Sequence, residues 1–126
     1  MIKLTYCIRR RSDLSVEDFR KYWIEKHAPL VARNATALRA RKYVQSHTIE
    51  GDTNGALRAS RGASEAFDGI TEVWWDSREA LEAAFDTPAG QAAGRELLED
   101  ERSFIDFAKS SLFLTEEHEI FDESCK

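Results

Sequence analysis

Long apolar runs are missing from this chain of 126 residues. No stretch approaches the 18 or so apolar residues that a membrane helix requires, so no membrane span is expected. Cysteine is scarce. Cys7 and Cys125 lie near opposite ends with no CxxC spacing, which excludes a disulfide framework and argues against a thiolate metal site. The histidines His27, His47 and His118 lack any i, i+2 or i, i+4 spacing, so no metal centre is expected. GxGxxG, GxxxxGK and GxSxG are absent, leaving nucleotide-binding and acyl-hydrolase readings without support. An excess of positive charge is also lacking. The net charge is -5, which gives no general attraction to nucleic acid. One basic cluster (Arg9, Arg10, Arg11, Arg39, Arg41 and Lys42) would mark solvated strand ends or an anion site if it gathered at one end of a sheet. Residues 1–6 show no basic region followed by an apolar core, so no secretory signal is read and a cytoplasmic protein is expected.

The composition, 42% apolar and 33% charged, suits a single globular domain spanning 1–126. Ile2, Leu4, Tyr6 and Ile8 alternate with Lys3, Thr5, Cys7 and Arg9, the period of a strand. Ser15, with Asp18 three residues on, is an N-cap pattern. Phe19, Tyr22, Trp23, His27, Leu30 and Val31 follow at helical spacing. Pro29 is expected to bend or restart this helix and to push Ala28 out of the α region. Residues 42–49 and 69–75 read as strands, and Asp76 with Glu79 as a second capping pattern. Thr87-Pro88 opens another helix, because proline suits a first helical position. Residues 112–121 supply the last strand. Between 50 and 68, rich in glycine and small residues, a flexible insertion loop is expected, a candidate cover for a cleft.

The order βαββαβ predicts an α+β, ferredoxin-like two-layer sandwich. Tyr43, Gln45 and His47 alternate against Val44, Ser46 and Thr48, and Ile70, Glu72 and Trp74 against Thr71, Val73 and Trp75. If Tyr43, Gln45, His47, Ile70, Glu72 and Trp74 share a face, they form an aromatic surface with a few hydrogen-bonding groups, the composition of a small-molecule site. With both helices on the opposite face, such a surface predicts a homodimer paired sheet to sheet.

Residues 19–30 carry Phe19, then Tyr22-Trp23, then His27, Pro29 and Leu30. This pattern resembles the EthD family. Phe67-Asp68-Gly69-Ile70-Thr71-Glu72-Val73-Trp74 is similar to a second recurrent segment of that family, and Phe104-Ile105-Asp106 with the final strand to its close. The resemblance implies a dimeric α+β barrel, in a superfamily of cofactor-free monooxygenases, lactone isomerases, polyketide cyclases and haem-handling proteins. EthD is named for bacterial degradation of ethyl tert-butyl ether, beside an oxidising system.

His27 is the first candidate for catalysis, since an imidazole suits proton transfer at neutral pH. Its alternative role is to stabilise the bend at Pro29. His47 and Glu72 are further catalytic candidates, a carboxylate being able to orient an imidazole and raise its pKa; a solvated ion pair is the other reading. Trp23, Tyr43, Gln45, Ile70 and Trp74 are candidate ligand contacts, and Trp74 and Tyr43 fit equally as interface plugs. Three functions stay open: a cofactor-independent oxidoreductase or isomerase/dehydratase acting on a small hydrophobic molecule, a non-catalytic carrier serving an oxidising system, and a haem protein. No resident cofactor is expected for the first.

Overall fold

The computed structural model describes residues 1–124, and Cys125 lies outside them. Four strands, β1 (Ile2–Ile8), β2 (Lys42–His47), β3 (Gly69–Trp75) and β4 (Ser111–Glu116), form one sheet in the order β2-β3-β1-β4. Every neighbouring pair is antiparallel. The crossover between β1 and β2 is helical: α1 (Val16–Tyr22), a π-helical turn (Trp23–His27) and α2 (Ala28–Leu38). Between β3 and β4 come α4 (Arg78–Phe85) and α5 (Pro88–Glu101), then a short 3₁₀ turn (Phe107–Lys109). This is the ferredoxin-like α+β sandwich, with the main helices on one face of the sheet.

The caps follow the sequence closely. Ser15 accepts from the Asp18 amide at 3.0 Å, and Thr87 accepts from the Gly90 amide at 3.0 Å with Pro88 at the first position. α4 is capped one residue later than expected, by Ser77 accepting from the Ala80 amide. Its hydroxyl reaches the third amide of the helix, which Asp76 precedes by one residue too many.

The α-helix restarts at α2 with Pro29 in its first turn, as expected, but the crossover is not broken. Ala28 stays helical at φ -58°, ψ -46°. A proline ring crowds the carbonyl four residues back, and the preceding turn absorbs this by widening, with the Ala28 amide donating to the Trp23 carbonyl. The helix therefore runs through the motif, with Trp23 and His27 both buried in its wide turn.

Residues 50–68 are not a simple loop. They contain α3 (Asp52–Arg61), closed by Gly62 in the left-handed region at φ 60°. No residue of α3 is buried, and Leu57 is 55% exposed. The return segment is tied down: the Arg9 guanidinium donates to the Ala66 carbonyl, the Arg10 amide to Asp68 Oδ2 at 2.9 Å, and the Thr48 hydroxyl to the Phe67 carbonyl at 2.6 Å. Among the described residues no helix is long and apolar enough to cross a membrane.

Strand directions also separate the basic cluster. β1 and β2 both pair antiparallel with β3 and so run parallel to one another. Arg9, Arg10 and Arg11 follow the end of β1, whereas Arg39, Arg41 and Lys42 stand at the start of β2, at the opposite end of the sheet.

Candidate active site

The register decides which side chains meet. Tyr43 pairs with Val73, Gln45 with Thr71 and His47 with Gly69, and paired residues share a face. On β1, Leu4, Tyr6 and Ile8 oppose Val73, Thr71 and Gly69. Tyr43, Gln45 and His47 therefore lie on the helix-covered face. Ile70, Glu72 and Trp74 lie on the open one, with Lys3, Thr5, Cys7, Val44 and Ser46. The expected six-residue surface is thus split between the two sides of the sheet. The strands alternate as read, but the phase of one against the other is set by a pairing that neither strand's own sequence encodes.

On the open face Glu72 forms an ion pair with Lys3 at 2.7 Å. Trp74 is buried there by neighbours in its own chain: Lys42 Nζ lies 4.7 Å and Lys3 Nζ 5.5 Å from its ring centre, and its indole N–H donates to Glu117. Ile70 and Phe113 remain substantially exposed. His118 stands beyond the end of β4, exposed. Among the described residues no cluster of three or more metal-binding side chains occurs.

Under the helices, the sheet encloses a cavity of about 180 Å³. Leu4, Tyr6 and Ile8 of β1, Tyr43 of β2 and Thr71, Val73 and Trp75 of β3 form its floor. Trp23, His27 and Val31 close one side, and Leu97 and Glu101 of α5 another. The exposed Phe85 and Leu112 stand at the rim. The volume slightly exceeds the roughly 150 Å³ apolar cavity known to accept benzene.

Trp23 anchors the wall. It is fully buried, 5.3 Å from the Phe19 ring and stacked on His47 at 4.3 Å between ring centres. Its position needs Gly69, because a Cβ there would sit 2.4 Å from Trp23 Cζ3. Gln45 locks the arrangement by donating from Nε2 to the Trp23 carbonyl at 2.9 Å and to the Tyr43 hydroxyl at 2.7 Å. His47 Nε2 donates to Gln45 Oε1 at 2.9 Å. His47 and Gln45 thus stand behind Trp23 and Tyr43 rather than on the cavity wall.

Four ionisable side chains line the cavity: Tyr6, His27, Tyr43 and Glu101. His27 is 5% exposed and packs 4.9 Å from the Phe104 ring. Its Nδ1 lies 2.7 Å from Asp100 Oδ2, and the other oxygen of Asp100 accepts from the Tyr22 hydroxyl at 2.5 Å. A carboxylate partner at Nδ1 places the proton there and leaves Nε2 as the basic nitrogen. Burial pushes the His27 pKa below its ordinary value of 6.5, with Asp100 opposing, so the imidazole is neutral at pH 7. Glu101, the next residue after Asp100, turns into the cavity and accepts from the Tyr6 hydroxyl at 3.2 Å. Burial, with Asp100 nearby, raises its pKa to about 7, while the Tyr6 bond opposes. Burial also pushes the Tyr6 phenol well up.

The site therefore includes residues the sequence analysis did not single out: Asp100, Glu101, Tyr6 and Tyr22. Asp100 and Glu101 sit in an acidic run that reads as a solvated helix end. A signal was present, because Ala93, Leu97 and Glu101 recur every four residues and share one stripe of α5.

Residues 11–108 match the EthD domain. The chain belongs to the EthD family. Among solved structures it resembles an EthD-family protein of Bacillus halodurans C-125, with 21% identity, 94% of this chain and 99% of that one covered, and a TM-score of 0.63. An EthD-like protein of Ralstonia eutropha JMP134 is similar at 20% identity and TM-score 0.63, with 99% and 96% covered. SnoaB of Streptomyces nogalater, described as a cofactor-independent oxygenase, is similar in fold at 12% identity and TM-score 0.54, covering 97% of each chain. Two further structural relatives, from Bacteroides fragilis and Thermobifida fusca, are described as dimeric ferredoxin-like proteins. No curated protein matches the chain.

Proposed function

We propose that this EthD-family protein is a cofactor-independent proton-transfer enzyme that takes a compact hydrophobic molecule into the cavity between sheet and helices. The observation that carries this is the pairing of His27 Nδ1 with Asp100 Oδ2 at 2.7 Å, which leaves a neutral, desolvated imidazole nitrogen for an apolar chamber. His27 is the general base, and Asp100 holds its tautomer and stabilises the imidazolium that forms. Trp23 and Tyr43 contact the molecule, with Gln45 and His47 bracing them. The carbanion or phenolate produced leads either to isomerisation, when the proton returns elsewhere, or to oxidation by dioxygen. The fold likeness to a cofactor-independent oxygenase supports the second outcome without selecting it. The open face, with Ile70 and Phe113 exposed beside the Glu72–Lys3 pair and the covered Trp74, is assigned to a homodimer interface, in keeping with the dimeric relatives.

The test uses 2-tetralone, an enolisable bicyclic ketone, in deuterated buffer. Wild-type protein is expected to accelerate exchange of the protons beside the carbonyl, and His27→Gln to lose about 10²- to 10⁴-fold, the usual contribution of general acid–base catalysis, with its melting temperature retained. Exchange unchanged by His27→Gln would contradict the proposal.

A further inference from the structure

The base does not account for everything ionisable on the cavity wall. Glu101 is held over the same apolar space by the last turn of α5, with its Oε1 accepting from the Tyr6 hydroxyl at 3.2 Å. Among the described residues no cation lies within ion-pair distance of it, although eight other carboxylates have such a partner: Asp13, Glu50, Asp68, Glu72, Asp76, Glu96, Glu99 and Glu117. The titratable groups around it are Tyr6 from β1, Tyr43 from β2, Asp100 from its own helix, and His27 on the same cavity wall. None supplies a positive charge at neutral pH. A carboxyl held against an apolar cavity without a cation binds its proton more tightly, up to about pH 7 here, and a protonated carboxyl is a hydrogen-bond donor. The Tyr6 hydroxyl already donates to Oε1, so the acid proton belongs on Oε2, which makes no hydrogen bond to the described residues.

We propose that Glu101, as a neutral acid braced by Tyr6, donates a hydrogen bond to a carbonyl oxygen in the cavity, so that the substrates are compact ketones or their enol tautomers. This rests on the reading of the cavity as the substrate site. In the step it describes, His27 Nε2 takes the proton from the carbon beside the carbonyl. The C–H electron pair becomes the C=C bond, the carbonyl π pair moves to oxygen, and the Glu101 proton meets the charge developing there. Donors aimed at a forming oxyanion in a water-poor site are the most effective electrostatic catalysts. Acid and base then stand in one chamber with their proton affinities set by different surroundings.

Binding tests this without any turnover. Affinities of 2-tetralone and of tetralin, the same skeleton without the oxygen, would be measured by calorimetry near pH 6 and near pH 8.5. The wild type is expected to prefer the ketone by about tenfold near pH 6, the worth of a good hydrogen bond, and to lose that preference near pH 8.5. Glu101→Gln keeps an N–H donor and should prefer the ketone at both pH values. Glu101→Leu should show no preference at either. A wild type indifferent to the carbonyl near pH 6, or a Leu variant that still prefers it, overturns the proposal. Because deuterium exchange reports on His27 separately, a ketone preference without exchange would remove the base and leave the donor standing.

Discussion

Replacing Glu101 by Gln should make the protein more stable, and only at neutral to alkaline pH. Burial raises the Glu101 pKa from its ordinary 4.5 to about 7 in the folded protein. A group whose folded pKa is raised favours folding in its protonated form. Its contribution is complete below about pH 4.5 and is lost as pH rises through about 7. Each pKa unit corresponds to roughly 1.4 kcal/mol, so ionising Glu101 in place costs up to about 3 kcal/mol by pH 8. Gln matches Glu in size, and its amide oxygen still accepts from Tyr6. It carries no charge to bury. The variant should therefore melt with the wild type near pH 4 and on the order of 10 °C above it near pH 8. His27 works in the opposite sense: its pKa is lowered by burial, so its contribution is present above pH 6.5 and lost as pH falls through the folded value. Both proteins carry His27, so its contribution cancels in the difference. Melting curves at four or five pH values suffice. A gap that is constant with pH, or a wild type that is the more stable at pH 8, would refute the burial of an unpaired acid.

Gly69→Ala should cost about 1–3 kcal/mol, the price of overpacking a filled site, since its new methyl meets both Trp23 and, at 2.9 Å, the Ser46 carbonyl; circular dichroism melts would show it, and an unchanged midpoint would mean that Trp23 sits elsewhere. Asp100→Asn should remove the charge-assisted bonds to His27 and Tyr22 and slow 2-tetralone exchange by at least tenfold; full activity would mean that Asp100 does not orient the base. Amides of α3 should exchange with solvent far faster than those of β1 and β3, because a ten-residue helix with no buried residue lacks the packing that stabilises short helices; strong protection would reveal a partner covering it.

Local chemistry was well written in the sequence. Ser15 and Thr87-Pro88 cap where their types predict, and β3 spans the expected residues, since these depend on neighbours a few positions away. The shared face of Tyr43 and Glu72 failed because it depended on the register between two strands some thirty residues apart. α3 was missed because Gly51, Asn54 and Gly55 open it with turn-forming residues and its exposed surface leaves no apolar periodicity. Of the residues lining the cavity, Trp23 and His27 belong to the motif around Pro29 that the sequence displays. Asp100 and Glu101 were not legible, because adjacent carboxylates at a helix end look alike until one is seen to turn toward His27 and the other toward an apolar cavity.

In the proposed function His27 offers an unprotonated Nε2 to that cavity at neutral pH. A long-range proton–nitrogen spectrum of the histidines in labelled protein reads this directly. Near pH 7 His27 is expected as the Nδ1–H tautomer, protonating only below its ordinary 6.5 and shifting at Nε2 when 2-tetralone is added. An Nε2–H tautomer, or an imidazolium persisting at pH 7, would contradict it.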